Sequence, residues 1–284
     1  MTRLQPDDIC HIIPNLADYS RELEKKTGRR LLGIACHACN MDERQLKDRL
    51  QGRQICVVPV TAGLGVISRF SDTVAAILTF LGCRAEVAEQ TDVSGVAYAF
   101  AAGYDALMMA DDRRFVAIDL HTRQVTDNAD ATGRGFAAAL DLMAGGIRGR
   151  DVLVLGCGPV GAAGAGLLAS KGARTALLDT DRQAAVQVRK IVSDRYRTAD
   201  ITIEDDLQTA LSHHRFILEA TPVPDTITGA VFLPDMRVAA PGVPLGVSAE
   251  AAAMLGPHLV HDTLEIGVAV MAASLFCEPI RKKR

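Results

Sequence analysis

The 284-residue chain is short of several things, and each shortage narrows what it can be. No apolar run reaches the roughly 18 residues that a membrane span needs, and the first residues lack a secretory-leader pattern. A soluble cytoplasmic protein without a membrane partner is expected. Charge of one sign is scarcely in excess: a net charge of −3 gives no electrostatic reason to expect a nucleic-acid partner. There is no H-E-x-x-H, no G-x-S-x-G and no cysteine cluster of the iron–sulfur kind. No repeat or low-complexity tract occurs, and no lysine stands between Lys47 and Lys171. The 7 cysteines are odd in number and scattered, which fits reduced thiols. Cys36-His37-Ala38-Cys39 offers at most three zinc ligands, no second pair is visible, and a structural site needs four. No metal is expected, and the segment reads as loop or core thiols. The basic tail, Arg281 to Arg284, reads as a solvated complement to a final helix.

What is present is organised around Asp151-Val-Leu-Val-Leu-Gly156-Cys-Gly158-Pro159-Val160-Gly161. The apolar run reads as a buried parallel strand. In the G-x-G-x-x-G that follows, Gly156 permits a tight turn, Gly158 lets a pyrophosphate approach the backbone, and Gly161 lets helix pack closely on strand. Free N–H groups and the positive end of the helix dipole would hold the phosphates, and Pro159 suits the first helical turn. The helix, Ala162 to Ser170, closes at Lys171-Gly172. Asp179 ends the next apolar run, where a carboxylate accepts bonds from the adenosine ribose. That acid argues for NAD over NADP, whose extra phosphate would meet like charge.

The rest of the chain alternates around this unit. Residues 1–54 read as mainly helical, with Pro14 kinking a first helix that ends at Thr27-Gly28, and a second helix over Asp42–Leu50. From Ile55 strands and helices alternate: strands over Ile55–Val60, Ala85–Glu89, Ala106–Ala110 and Phe115–Leu120, helices over Ser71–Leu81 and Ser94–Ala102. A helix over Thr132–Ala144, preceded by Asn128, links this part to the dinucleotide strand and lines the groove between them. Helices over Arg182–Val192 and Asp205–Ser212 separate strands at Ile201–Ile203 and Phe216–Ala220. Strands at Arg237–Ala240 and Leu259–His261 follow, and an apolar helix, Ile266–Ile280, closes the chain. The expected class is α/β: a C-terminal Rossmann-type doubly wound parallel sheet, ordered 3-2-1-4-5-6, plus an N-terminal helical and α/β domain. The expected division is 1–127 on the substrate side (55–127 being its α/β part) and 128–284 for NAD binding.

Ligands of such sheets bind beyond the carboxyl ends of the strands. On the cofactor side these ends carry Glu219-Ala220-Thr221-Pro222, with Asn128 across the groove. Pro241-Gly242 and Asp262 lie further along. The first domain contributes Thr61 with its glycine loop, Phe70, and Asp111-Asp112. No histidine sits in a recognisable catalytic loop. Acids without a histidine base suit an amine: Asp111, Asp112 and Asp262 can grip an ammonium group, and one of them can take its proton. The neutral amine then expels hydride from its own carbon to a nicotinamide, which requires placement more than acid–base power.

Taken together, several segments resemble one family, the PylD (pyrrolysine synthase) family. They are Val58-Pro-Val-Thr61, Ser68 to Ser71, Asp92-Val-Ser-Gly95, Met109-Ala-Asp111-Asp112, Val154 to Gly161, Glu219 to Pro222, Pro241-Gly-Val-Pro244 and Leu264 to Gly267. The resemblance implies NAD-dependent oxidation of the terminal amine of the dipeptide 3-methyl-D-ornithyl-N6-L-lysine. Loss of ammonia and condensation with the α-amine then close the pyrroline ring. It further implies that Leu4, Val60, Thr61, Ala62 and Phe70 line the substrate pocket under the first helix. Asp111 would contact the substrate amine, Asp179 and Thr221 would hold the cofactor, and the assembly would be a homodimer. Two positions depart from the family pattern: Asp262-Thr263 replaces Glu-Pro, and Ala62 replaces a hydroxyl residue. Competing readings are another two-domain NAD(P) enzyme, of the amino-acid or methylene-tetrahydrofolate dehydrogenase type, and a non-catalytic NAD-binding regulator. The first usually carries a cleft lysine, which the 48–170 stretch lacks; the second has no need of acids facing the glycine loop.

Asp179→Ala is expected to weaken NAD binding and relax discrimination against NADP; titration with both nucleotides measures it, and an unaltered preference contradicts the assignment.

Overall fold

The computed structural model describes residues 4–277, so the expected helical residues 278–280 and the basic tail lie outside the described part. The chain opens with α1 (Pro6–Ile9) and α2 (Ile12–Thr27). The break falls at Cys10-His11, ahead of Pro14 and not at it. Pro14 occupies the first turn of α2, where no i−4 carbonyl awaits its missing N–H, so it starts a helix instead of kinking one. Gly28 ends α2 in the left-handed conformation, at φ 74. α3 (Leu31–Cys39) contains the whole Cys-His segment, with Cys36 buried in the core. α4 (Glu43–Leu50) is capped by Asp42, whose carboxylate accepts the Arg44 and Gln45 N–H groups.

The first sheet contains β1 (Gln54–Val58), β2 (Arg84–Val87), β3 (Ala106–Ala110), β4 (Phe115–Asp119) and β5 (Val125–Asp127), with α5 (Phe70–Phe80) and α6 (Asp92–Ala101) between its early strands. Its order is β2-β1-β3-β4-β5. The first three strands are parallel, and β4 and β5 turn back antiparallel. The long helix α7 (Asn128–Met143) follows. Then come β6 (Asp151–Leu155), α8 (Pro159–Lys171), β7 (Arg174–Leu178), α9 (Arg182–Arg195), β8 (Asp200–Ile203), α10 (Leu207–His213), β9 (Phe216–Glu219), β10 (Arg237–Ala240), α11 (Ala249–Leu255), β11 (Leu259–His261) and α12 (Glu265–Leu275). The second sheet runs β11-β10-β9-β6-β7-β8, wholly parallel, which is the expected 3-2-1-4-5-6 order.

Helix α7 joins the two sheets through contacts that only small residues permit. A Cβ on Gly133 would stand 2.0 Å from the Val160 carbonyl oxygen at the start of α8. On the same helix, a Cβ on Gly135 would stand 2.3 Å from Ile266 Cγ2 of α12. Helix α12 is buried along its whole length and packs on α3, α5 and β4 of the first sheet as well as on α7. One continuous apolar core therefore runs from Ile9 through Phe136 to Val268. His37 Nε2–H donates to buried Asp141 Oδ2 at 2.6 Å, with Lys171 Nζ 3.9 Å from that oxygen, and this ties α3, α7 and α8 together. No helix among the described residues is long and apolar enough to cross a membrane.

Gly133→Ala is expected to destabilise the fold by about 1–3 kcal/mol through overpacking. Gly166→Ala, on α8 with open space around its new methyl, should instead gain up to about 1 kcal/mol of helix propensity. Denaturant unfolding of the two variants measures the difference, and equal effects would contradict the close crossing.

Candidate active site

A cleft of about 480 Å³ lies between the carboxyl ends of the two sheets, within the usual range for small-molecule sites. Its first-sheet wall carries Leu4, Val60, Ala62, Phe70, Asp111 and Asp112. The opposite wall carries Gly158, Pro159 and Val160 of the glycine turn, Asn128 of α7, and Ala220, Thr221 and Pro222 beyond β9. Gly156, Gly161, Thr61, Asp179 and Asp262 do not line it.

The glycine turn has the shape its sequence predicts. Gly156 takes φ 86, and a Cβ there would meet the Ala220 carbonyl at 2.7 Å. A Cβ on Gly161 would stand 1.8 Å from the Gly156 oxygen, so helix and turn pack backbone to backbone. Gly158 is exposed, and nothing lies within 4 Å of where its Cβ would be; that space, at the N-terminus of α8, is open to a phosphate. Asp179 stands beside the turn, with Oδ2 accepting the Cys157 N–H at 2.6 Å and Oδ1 the Asp181 N–H at 2.8 Å. Arg182, the nearest cation in sequence, is paired with Asp205. These features fit a dinucleotide: an open cradle for the pyrophosphate and an acid at the adenosine end.

On the facing wall, Asp111 Oδ1 accepts the N–H groups of Arg113 and Arg114, both at 2.7 Å. Those two bonds hold its carboxyl below the usual range, so it is ionised at neutral pH. Asp112 acts on the backbone instead, as Oδ2 accepts the Leu64 N–H at 2.8 Å and so anchors the glycine loop. Thr61 is held from outside the cleft by Asp92, which accepts its N–H at 2.8 Å and its hydroxyl at 2.5 Å. Phe70 meets Phe115 edge to face, with centroids 5.3 Å apart, and forms the apolar part of the wall.

Asp262, expected to contact a substrate amine, faces another way. It is 7% exposed; Tyr19 O–H donates to Oδ2 at 2.6 Å, and the Ile266 N–H reaches the same oxygen at 3.2 Å. Burial, and then the nearby Glu265, push its pKa well up. It caps α12 and joins it to α2, while its neighbours Thr263 and Leu264 reach the cleft. Nothing in the local pattern signals this, because the partner, Tyr19, is far away along the chain. Glu219 is a residue whose role sequence reasoning missed. It is wholly buried, and Oε1 accepts the Thr221 N–H at 3.0 Å and the Thr221 hydroxyl. Oε2 lies against the Gly246 backbone, and among the described residues it has no hydrogen-bond partner. Burial pushes this carboxyl up to about 7. Its signal was an acid ending an otherwise apolar strand.

A parallel sheet with a glycine turn, faced across a cleft by a second α/β lobe, defines the two-lobed dehydrogenase fold. Solved structures agree. Quinate dehydrogenase from Corynebacterium glutamicum, in complex with NAD, is 18% identical, with a TM-score of 0.57 over 80% of this chain and 94% of that one. Shikimate dehydrogenase from Aquifex aeolicus is 15% identical, with a TM-score of 0.50 over 80% and 92%. Residues 8–126 match the family described as pyrrolysine biosynthesis protein PylD, N-terminal domain. The pyrrolysine synthase of Methanosarcina acetivorans is 31% identical over 281 residues, 97% of this chain and 100% of that protein. That of Methanosarcina barkeri is 31% identical over 277 residues, covering 97% and 98%. The chain belongs to the pyrrolysine synthase family.

The buried carboxyl of Glu219 makes stability depend on pH. Its folded pKa, about 7, lies above the ordinary 4.5. Its contribution to stability is therefore present at low pH and lost as the pH rises through that window. Glu219→Gln should gain on the parent by up to about 3 kcal/mol between about pH 5 and pH 8. Thermal unfolding midpoints measured across that range should diverge, and parallel curves would contradict the shift.

Proposed function

We propose that the protein oxidises the terminal amine of 3-methyl-D-ornithyl-N6-L-lysine with NAD, and that loss of ammonia and ring closure then yield L-pyrrolysine. The observation that carries the reading is Asp111: an ionised carboxylate on the cleft wall opposite an open glycine turn. Likeness over nearly the full length to proteins named pyrrolysine synthase supports the substrate class.

NAD, when bound, supplies the hydride acceptor. Asp179 would take the adenosine ribose hydroxyls, and Gly158 with the first turn of α8 would take the pyrophosphate. Thr221, fixed by Glu219, would border the nicotinamide ribose, with Asn128 on the same wall of the cleft. The substrate's aliphatic stretch would lie on Leu4, Val60 and the Phe70–Phe115 pair. Both backbone N–H bonds to Asp111 fall on Oδ1, which leaves Oδ2 to grip the ammonium group. A carboxylate held this low is a counter-ion and a poor base. Asp111 therefore places the amine carbon, and the amine's proton leaves to the water of the open cleft.

Asp111→Asn keeps an oxygen to accept the turn's two N–H bonds but removes the charge. It is expected to lower kcat/KM for the dipeptide by about 1.5–3 kcal/mol, roughly 10- to 160-fold, with NAD affinity unchanged. NADH absorbance with the dipeptide, beside D-ornithine and tetrahydrofolate substrates, checks both the role and the substrate. Unchanged turnover would remove Asp111 from the reaction, and NAD binding without turnover of any substrate would favour a regulator.

A further inference from the structure

A second group of reactive side chains lies away from the dinucleotide cleft and shares no lining residue with it. Cys39, the last residue of α3, places Sγ 3.4 Å from Ser274 Oγ on α12 and 3.5 Å from Arg134 Nη2 on α7. Arg134 is itself fixed: Nη2 donates to the Ala38 carbonyl at 2.9 Å, and Nη1 reaches Ser274 Oγ at 3.4 Å and Asp130 at 3.3 Å. Cys277, two residues beyond α12, donates to Met41 Sδ at 2.6 Å, two residues along the chain from Cys39. Both thiols are half-buried, and both line a small surface cleft.

We infer that Cys39 is a nucleophilic thiolate with Cys277 as its resolving thiol, so that the pair exchanges with small-molecule disulfides and closes into a Cys39–Cys277 bond. Three observations separate this pair from the other cysteines. The neighbouring Cys277 thiol lowers the Cys39 pKa, burial opposes that, and Arg134 and Ser274 add to it, so the thiol is pulled down to about 6. The end of α3 presents roughly half a negative charge, which disfavours a thiolate, but the guanidinium brings a whole positive charge into contact. Cys277 is shifted upward, so it stays protonated until Cys39 has reacted. Cys36, Cys56, Cys83 and Cys157 are buried, and burial pushes their thiols up to between about 11 and about 12. Exposed Cys10 donates to the Asp7 carbonyl.

The exchange balances. The Cys39 thiolate attacks one sulfur of a disulfide RSSR, forming Cys39–S–S–R and releasing RS⁻. Cys277 gives its proton to solvent and attacks the Cys39 sulfur, releasing the second RS⁻. Two protein thiols are oxidised and one small disulfide is reduced to two thiols. The product fastens the end of α12 to the end of α3.

The test uses the full chain carrying Cys10→Ser, with dipyridyl disulfide as the probe. Two equivalents of thiopyridone per chain are expected, and peptide mapping should find Cys39 joined to Cys277. Adding Cys277→Ser should halve the release and leave a pyridyl adduct on Cys39. Adding Cys39→Ser should abolish the fast phase. Alkylation by iodoacetamide should be half-maximal near pH 6, moving up by a unit or more in Arg134→Gln, a shift that mere accessibility of the thiol would not produce. Slow reaction of Cys39, no faster than Cys10 in the parent chain, overturns the thiolate. A lasting adduct on Cys39 while Cys277 is present overturns the resolving role. None of these readouts depends on turnover, so they stand apart from the proposed activity.

Discussion

Everything in this molecule that faces a ligand depends on how closely α7 can approach its neighbours. The helix spans the gap between the two sheets, and its glycines remove the side chains that would hold α8 and α12 at an ordinary interaxial distance. At Gly133 the next helix arrives almost backbone to backbone, which sets the depth at which the turn after β6 meets the cleft. Asn128 and Thr132 of the same helix line the cleft. A bulkier α7 would change the pocket's width before it touched any ligand-binding group. The geometry of the site is therefore a packing property first and a chemical one second.

The acids around this frame divide into two kinds. Glu219, Asp262 and Glu265 are buried, and burial raises each of them. Their role is structural: Glu219 organises the turn after β9, and Asp262 and Glu265 sit where α12 begins. Asp111 is exposed and Asp92 half-buried at the surface, and donated hydrogen bonds lower both. Full negative charge is thus displayed where a cation can arrive and suppressed behind the walls. Formal charge alone would not distinguish the two groups; solvation and donor count do.

The second sheet was readable because its central strands β6, β7 and β9 are near-continuous apolar runs, and because the glycine spacing fixes one local geometry. The first sheet was readable through β4. It was not readable at β5, where three residues follow a turn and carry no periodicity. The short helix α11 has a cap signal in Ser248, whose Oγ accepts the Ala251 N–H, but only seven residues follow it. Pro14 misled because a proline inside an apolar period looks like a kink, whereas the break just before it makes it a first-turn residue. Asp111 could be placed in the cleft from its strand end alone. Asp262 ends a strand just as Asp111 does, and what turns it inward is Tyr19 on α2, a contact that no local pattern encodes.

The position of α12 bears on how the chain comes together. Residues 265–275 complete the apolar interior against α3, α5 and β4, elements made of residues 31 to 119. During synthesis, the early sheet must wait with one flank uncovered while the later sheet is being made. Its last apolar neighbour emerges only after all eleven strands of the described residues. Closure of the early lobe therefore waits on α12, and the nascent chain passes through a long interval in which a greasy flank of its first half is exposed to whatever is nearby.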